Sequence, residues 1–125
     1  MARLKAISKG QVHRDSVETA PRDMAAYLQG VLGTKLVARI VGVSDPKAVT
    51  RWAKGERTPR DDNEQRLRDT FLVFRTLTEA ESQYTIRAWF VGLNPLLGDE
   101  SPAKALREGR TREVLMAAKA FLADG

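Results

Sequence analysis

Four polar side chains recur along residues 46–54 at intervals that place them on one face of a helix. They are Lys47, Thr50, Arg51 and Lys54. Lys and Arg donate hydrogen bonds to guanine acceptors and to phosphate oxygens, and Thr bonds to either. Val49 and Trp52 fall on the opposite face, where they can anchor the helix in a core. The pattern favours recognition of nucleic acid, although a charged outer face is also found on ordinary surface helices.

The residues before this helix predict the element that positions it. Thr34 is a candidate N-cap for a first helix, and Gly42 follows its last apolar residue. Asp45 and Pro46 are a natural N-cap and first residue for the second helix, which we predict over Pro46–Lys54. Two such helices form a helix-turn-helix, which places its second helix in the DNA major groove. The predicted DNA-binding residues are Ser44, Lys47, Thr50, Arg51, Lys54 and Arg57.

The predicted turn differs from the usual motif in its length. The interval from Gly42 to Val49 is one residue longer than usual, which predicts an enlarged turn at Ser44–Asp45. One helix-turn-helix reads few base pairs, so we expect a homodimer on two half-sites of operator DNA.

Charge is unevenly distributed along the chain. Residues 1–60 contain 12 Lys and Arg against 5 Asp and Glu, and residues 61–125 contain 9 against 11. The positive excess therefore accompanies the predicted recognition helix, where it attracts a polyanion. No apolar run is long enough to span a membrane, and no secretory signal is visible. We expect a cytoplasmic, nucleoid-associated protein with no membrane partner.

Helical spacing of apolar residues continues to the end of the chain, and strand-like alternation is absent. The predicted fold class is all-α. We divide the chain into a flexible basic arm (1–20), the helix-turn-helix region (21–60), a connecting helix (61–78) and a helical partner-binding domain (79–125). The arm either follows DNA phosphates or serves only solubility. After Glu81 apolar residues lie on two faces of one predicted helix, which indicates burial on two sides, one of them against a partner.

Residue types that carry enzyme chemistry are scarce. The chain has no Cys and one His, which lies in the arm, and it lacks a phosphate-cradling Gly loop. Its carboxylates fall mostly at helix caps and on solvated faces. We expect no catalytic residue, no metal site and no cofactor, and hence no enzyme.

A distinctive run, WFVGLNPLLGDESPAKALREG, occupies residues 89–109. Together with Arg51–Gly55, Pro59 and Gln65–Leu67 it resembles the MbcA/ParS/Xre antitoxin family over roughly residues 34–123. The resemblance implies an Xre-like helix-turn-helix bundle followed by a small helical C-terminal domain. In that family the C-terminal domain binds a RES-domain toxin, an enzyme that consumes NAD, and many members repress their own operon.

The resemblance also implies roles for the C-terminal residues. Its signature residues would shape the domain rather than touch the toxin: Asn94, Pro95, Leu97, Gly98, Pro102 and Leu106. Toxin contact is expected from the last helix and the end: Arg112, Met116, Lys119, Phe121, Leu122 and Asp124. The sequence therefore predicts the antitoxin of a type II toxin-antitoxin pair. The alternatives are a stand-alone helix-turn-helix regulator without a toxin and an interaction module whose DNA-binding part is vestigial.

Overall fold

The structure is a computed structural model that describes Val12 and residues 18–124. Residues 19–124 contain seven α-helices and one short 3-10 helix. The α-helices are α1 (Pro21–Leu32), α2 (Thr34–Val41), α3 (Lys47–Ala53), α4 (Asp61–Leu77), α5 (Gln83–Val91), α6 (Pro102–Arg107) and α7 (Thr111–Asp124). The 3-10 helix is Pro95–Leu97. Strand-type pairing within these ranges is limited to an isolated bridge between Asn94 and Glu100. The all-α prediction is confirmed.

Most of the predicted arm, residues 1–20, lies outside the described residues, and so do its cations Arg3, Lys5, Lys9 and Arg14. Val12 is buried. The carbonyl of Thr19 accepts a hydrogen bond from the Arg68 guanidinium at 3.4 Å, which connects the start of the described range to α4.

One hydrophobic cluster contains buried residues from every described α-helix. The 17-residue α4 is at its centre, because it contacts α1, α2, α6 and α7. Phe71 and Phe74 of α4 meet the Tyr27 ring edge-on at 5.4 and 5.6 Å between centroids. On the far side Phe74 lies 6.0 Å from Phe90 of α5. The predicted helix-turn-helix region and the predicted C-terminal domain therefore share a core.

The predicted cap of α2 is wrong. Thr34 was expected to be its N-cap, but Gly33 takes that position. Ser82 caps α5 by accepting from the backbone N–H of Thr85 at 3.3 Å. The Thr111 hydroxyl, at the first residue of α7, donates to Asp69 of α4 at 2.8 Å. A hydroxyl near a helix start can bond to a neighbouring helix as readily as to its own backbone, and the sequence does not distinguish the two.

Other helix boundaries follow the predictions. Ser101 accepts from the backbone N–H of Lys104 at 3.1 Å, and Pro102 begins α6 as its first residue. Gly42, at φ +87°, ends α2 in the left-handed region that disfavours a side chain. The predicted helix Pro46–Lys54 is one residue shorter at each end, since α3 is Lys47–Ala53.

Candidate functional site

The turn between α2 and α3 sets the direction of α3. The backbone N–H groups of Gly42 and Val43 both donate to the Ala38 carbonyl at 3.0 Å, which closes the end of α2. Asp45 then accepts from the backbone N–H of Lys47 at 3.0 Å, satisfying one of the free donors at the start of α3. We refer to Thr34–Ala53 as the two-helix unit.

The inner face of α3 is held against α1, its most extensive neighbour in the fold. Val49 is fully buried, and Trp52 is 4% exposed. The side-chain amide of Gln29 in α1 donates to the hydroxyls of Thr34 and Thr50, both at 2.9 Å. One amide group therefore joins α1 to both helices of the two-helix unit.

The outer face of α3 is cationic and exposed. Lys47, Arg51 and Lys54 are exposed there, with Ser44 before the helix and Arg57 after it. Within residues 18–124, no carboxylate lies within salt-bridge distance of these four cations. Thr50 is half-buried and bonded to Gln29, so of the six predicted DNA-binding residues it alone faces the interior in part.

The segment 92–101 is a compact turn fixed by side-chain and backbone hydrogen bonds. Asn94 accepts from the backbone N–H of Leu96 at 2.9 Å, which starts the 3-10 helix, and its own backbone N–H donates to the Glu100 carbonyl at 3.0 Å. Gly98 follows at φ +68°. Leu97 points into the core at 1% exposure. These contacts agree with the expectation that the signature residues shape this region.

Arg110 fastens the same segment to α7. Its guanidinium donates to Glu113 at 2.7 Å and to the Leu97 carbonyl at 3.4 Å, and it lies 3.6 Å from Glu108. The hydrogen bond to Glu113, with the charges of both carboxylates, raises the pKa of Arg110 above its usual value. Glu108 and Glu113 are close to Arg110 in sequence, but the Leu97 carbonyl becomes its neighbour only in the fold, so this tie was not predicted.

The six predicted toxin-binding residues fall into two groups. Arg112, Met116, Lys119 and Asp124 are exposed, Met116 to 66%. Phe121 and Leu122 are half-buried and pack against the core. The Phe121 ring lies 6.2 Å from the ring of Trp89 in α5, so part of its surface is committed to the fold.

A second exposed surface lies on α5, the helix that was predicted after Glu81 with apolar residues on two faces. We call this surface the apolar patch. Ile86 and Phe90 of α5 are buried, whereas large side chains on its other face and in the following turn are exposed. The patch consists of Tyr84, Val91, Leu93 and Leu96, with exposures of 77, 54, 77 and 65%. The sequence predicted the helix face but not the contribution of Leu93 and Leu96.

A buried charge lies between α1 and α4. The Arg75 guanidinium is 5.9 Å from the centroid of the Tyr27 ring and 5.8 Å from that of Phe71. Burial raises the pKa of Tyr27 to about 12, and the positive charge of Arg75 acts in the opposite direction.

No described helix is long and apolar enough to cross a membrane.

These features define an all-helical protein that exposes a cationic helix at one place and apolar side chains at another. No family model matches the chain. Over 79 residues it is 34% identical to the mycobacterial cidal antitoxin MbcA of Mycobacterium tuberculosis and of Mycobacterium bovis, covering 63% of this chain and 69% of the relative. It also superposes on a chain of the crystal structure of the M. tuberculosis MbcT–MbcA toxin–antitoxin complex, with a TM-score of 0.69 and 29% identity. That match covers 79% of this chain and 90% of the other.

The chain belongs to the MbcA antitoxin family. The family resemblance found in the sequence is thereby confirmed.

Proposed function

We propose that this protein is the antitoxin of a type II toxin-antitoxin pair, which binds and neutralises a RES-domain toxin that consumes NAD. We further propose that it binds operator DNA through the two-helix unit and so regulates its own operon. It acts by binding, without catalysis, in the cytoplasm and at the nucleoid. The proposal is carried by the superposition on a chain of the MbcT–MbcA toxin–antitoxin complex, which extends over four-fifths of the chain.

The DNA-binding part is supported by the charge of the exposed face of α3. Pairing with neighbouring carboxylates would occupy the donors of these cations. Here Lys47, Arg51 and Lys54 have no such partner among residues 18–124, so their donors are available to base edges and phosphates. Val49 and Trp52 hold the opposite face in the core, which presents the cations in a fixed direction.

The toxin-binding part is supported by the exposed face of α7. Val114, Ala117 and Ala118 bury one side of this helix, leaving Arg112, Met116 and Lys119 outward. An exposed Met between two cations offers a toxin both apolar contact and charge. Phe121 and Leu122 would contact the toxin only with the surface that their packing leaves open.

The toxin-binding part is tested by co-expression with a candidate RES-domain toxin. We expect the native chain to restore growth and cellular NAD, and Met116→Asp with Lys119→Glu to lose that rescue and the co-purification of the toxin. Gln65→Ala, which changes an exposed side chain of α4, is the matched control. In parallel, the double variant Leu93→Asp with Leu96→Asp is tested for the same rescue and co-purification, so that the apolar patch and α7 are compared as toxin contacts. Full rescue by the α7 variant would show that its exposed face is not the toxin contact.

The DNA-binding part is tested by titrating duplexes from the region upstream of the gene. Arg51→Ala is expected to weaken specific binding by about 1–3 kcal/mol if it contacts a base. Light scattering should find a dimer on DNA, with half-sites roughly 34 Å apart. Unchanged binding by Arg51→Ala combined with Lys47→Ala would refute the groove assignment. It would leave an antitoxin that does not read DNA through α3.

A further inference from the structure

A groove separates α2 of the two-helix unit from α6 of the C-terminal part. It consists of two adjoining cavities of about 510 and 340 Å³, and Arg39 and Arg107 line both. The larger cavity has Leu36, Val91 and Ala103 in its wall. The smaller one is walled by the turn between α2 and α3, including Gly42, Val43, Ser44 and Pro46. Arg107, the last residue of α6, therefore lies beside the start of α3.

The rim of this groove carries positive charge that nearby carboxylates do not neutralise. Lys35, Arg39 and Arg107 are exposed, and none has a carboxylate partner within the described ranges. Lys104, also on the rim, pairs with Glu100 at 3.1 Å. Among residues 18–124, Glu108 is the one carboxylate that lines the groove, and it pairs with Arg110 at 3.6 Å. Within the described ranges three cations thus remain without a carboxylate partner, an arrangement that suits an anionic ligand.

We propose that the groove receives phosphates of the DNA strand that flanks α3, and that Arg107 of the C-terminal part is a DNA contact. This inference rests on the proposed DNA-binding function. A duplex that takes the start of α3 into its major groove carries its backbone across the first helix of the motif and the adjoining turn. Ser44 and Pro46 of that turn line the same cavity as Lys35, Arg39 and Arg107.

The chemistry of the three cations suits a phosphodiester backbone. The guanidinium forks of Arg39 and Arg107 match the paired oxygens of a phosphate, and Lys35 supplies a point charge beside them. The surface is also continuous with the cations of α3, since Lys47 directly follows Pro46 of the cavity wall. A DNA backbone carries regularly spaced negative charges, so one strand can engage the groove and the cations of α3 together.

The test uses the full-length protein and fluorescence anisotropy over a range of salt concentrations. Two duplexes of equal length are compared, one from upstream of the gene and one of unrelated sequence. Arg107→Gln is the test variant, and Arg87→Gln, an exposed arginine of α5, is the matched control. Thermal melting establishes that each variant is folded.

We expect Arg107→Gln to weaken binding to both duplexes by about 3- to 10-fold and to reduce the slope of log K against log salt by about 0.9, since one phosphate contact is lost. Arg87→Gln should change neither quantity. Native affinity and native slope for Arg107→Gln, with Arg51→Ala impaired, would overturn this inference and leave the proposed DNA binding intact. Failure of the native protein to bind either duplex would overturn both. Loss of toxin capture by Arg107→Gln with DNA binding intact would identify the groove as a protein-binding surface and likewise overturn it.

Discussion

The side-chain amide of Gln29 donates to the hydroxyl of Thr50 at 2.9 Å and so ties the inner face of α3 to α1. The same amide reaches Thr34 at the start of α2, also at 2.9 Å. One glutamine side chain therefore bonds to both helices of the two-helix unit, in addition to their packing in the core.

The Gln29–Thr50 bond predicts energetic coupling between the two positions. In urea unfolding of Gln29→Ala, Thr50→Val and the double variant, we expect a coupling free energy of about 0.5–1.5 kcal/mol, typical of a partly buried hydrogen bond. Arg51→Ala in place of Thr50→Val is the control, because Arg51 faces outward and should show no coupling to Gln29. Strict additivity of Gln29→Ala and Thr50→Val would contradict the bond.

Phe121 is predicted to contribute to stability as well as to any toxin contact. Phe121→Ala removes its packing on Trp89 and should lower the free energy of unfolding by about 1–3 kcal/mol, below the value for a fully buried ring. Met116→Ala, at an exposed position of the same helix, should change it little. Equal stability of the two variants would show that Phe121 is not part of the core.

Gly98 is predicted to be required for its backbone conformation. At φ +68° a side chain is disfavoured, so Gly98→Ala should destabilise the protein by about 1–2 kcal/mol, although its Cβ would meet no atom within 4 Å. Gly30 in α1 is a matched control with equally open space and an ordinary helical backbone. Gly30→Ala should leave stability equal or improve it. A neutral Gly98→Ala would indicate that the turn relaxes to another conformation.

The raised pKa of Tyr27 predicts that the protein loses stability at high pH. Its pKa is about 12 in the folded protein against 10.0 for the unperturbed group, so the unfolded chain releases the proton first. The contribution of neutral Tyr27 to the free energy of unfolding is fully present below pH 10 and is lost as pH rises towards 12. Urea unfolding of Tyr84→Phe, which leaves Tyr27 as the one tyrosine of the sequence, should show this decline between pH 9.5 and about 11.5. The decline should be smaller when Tyr27→Phe is added, and an identical profile would contradict the raised pKa.

Much of this architecture follows from local sequence signals. The apolar spacing gave the helical class, and Gly42, Ser101 and Pro102 marked boundaries that the structure retains. Local signals failed where a polar side chain bonds to another helix. The Thr34 and Thr111 hydroxyls bond to Gln29 and to Asp69, which a reading of neighbouring residues does not reveal.

The candidate surfaces were predictable to different degrees. The cations of α3 share one helix, so its periodicity alone placed them on one face. The groove could not be predicted, because Arg39 and Arg107 are far apart in sequence and meet only when α6 packs on α2. The half-burial of Phe121 depends on Trp89 of a separate helix, and for the same reason the sequence did not indicate it.

The shared core has a consequence for engineering this protein. Residues from every described α-helix enter one hydrophobic cluster, and Val114, Ala117 and Ala118 of α7 are among them. Deletion of α7, or its exchange for that of a relative, would expose or mismatch side chains in the cluster that also holds α3. Changes to the proposed toxin-binding surface are therefore better made by replacing outward residues of α7 than by grafting the whole C-terminal half.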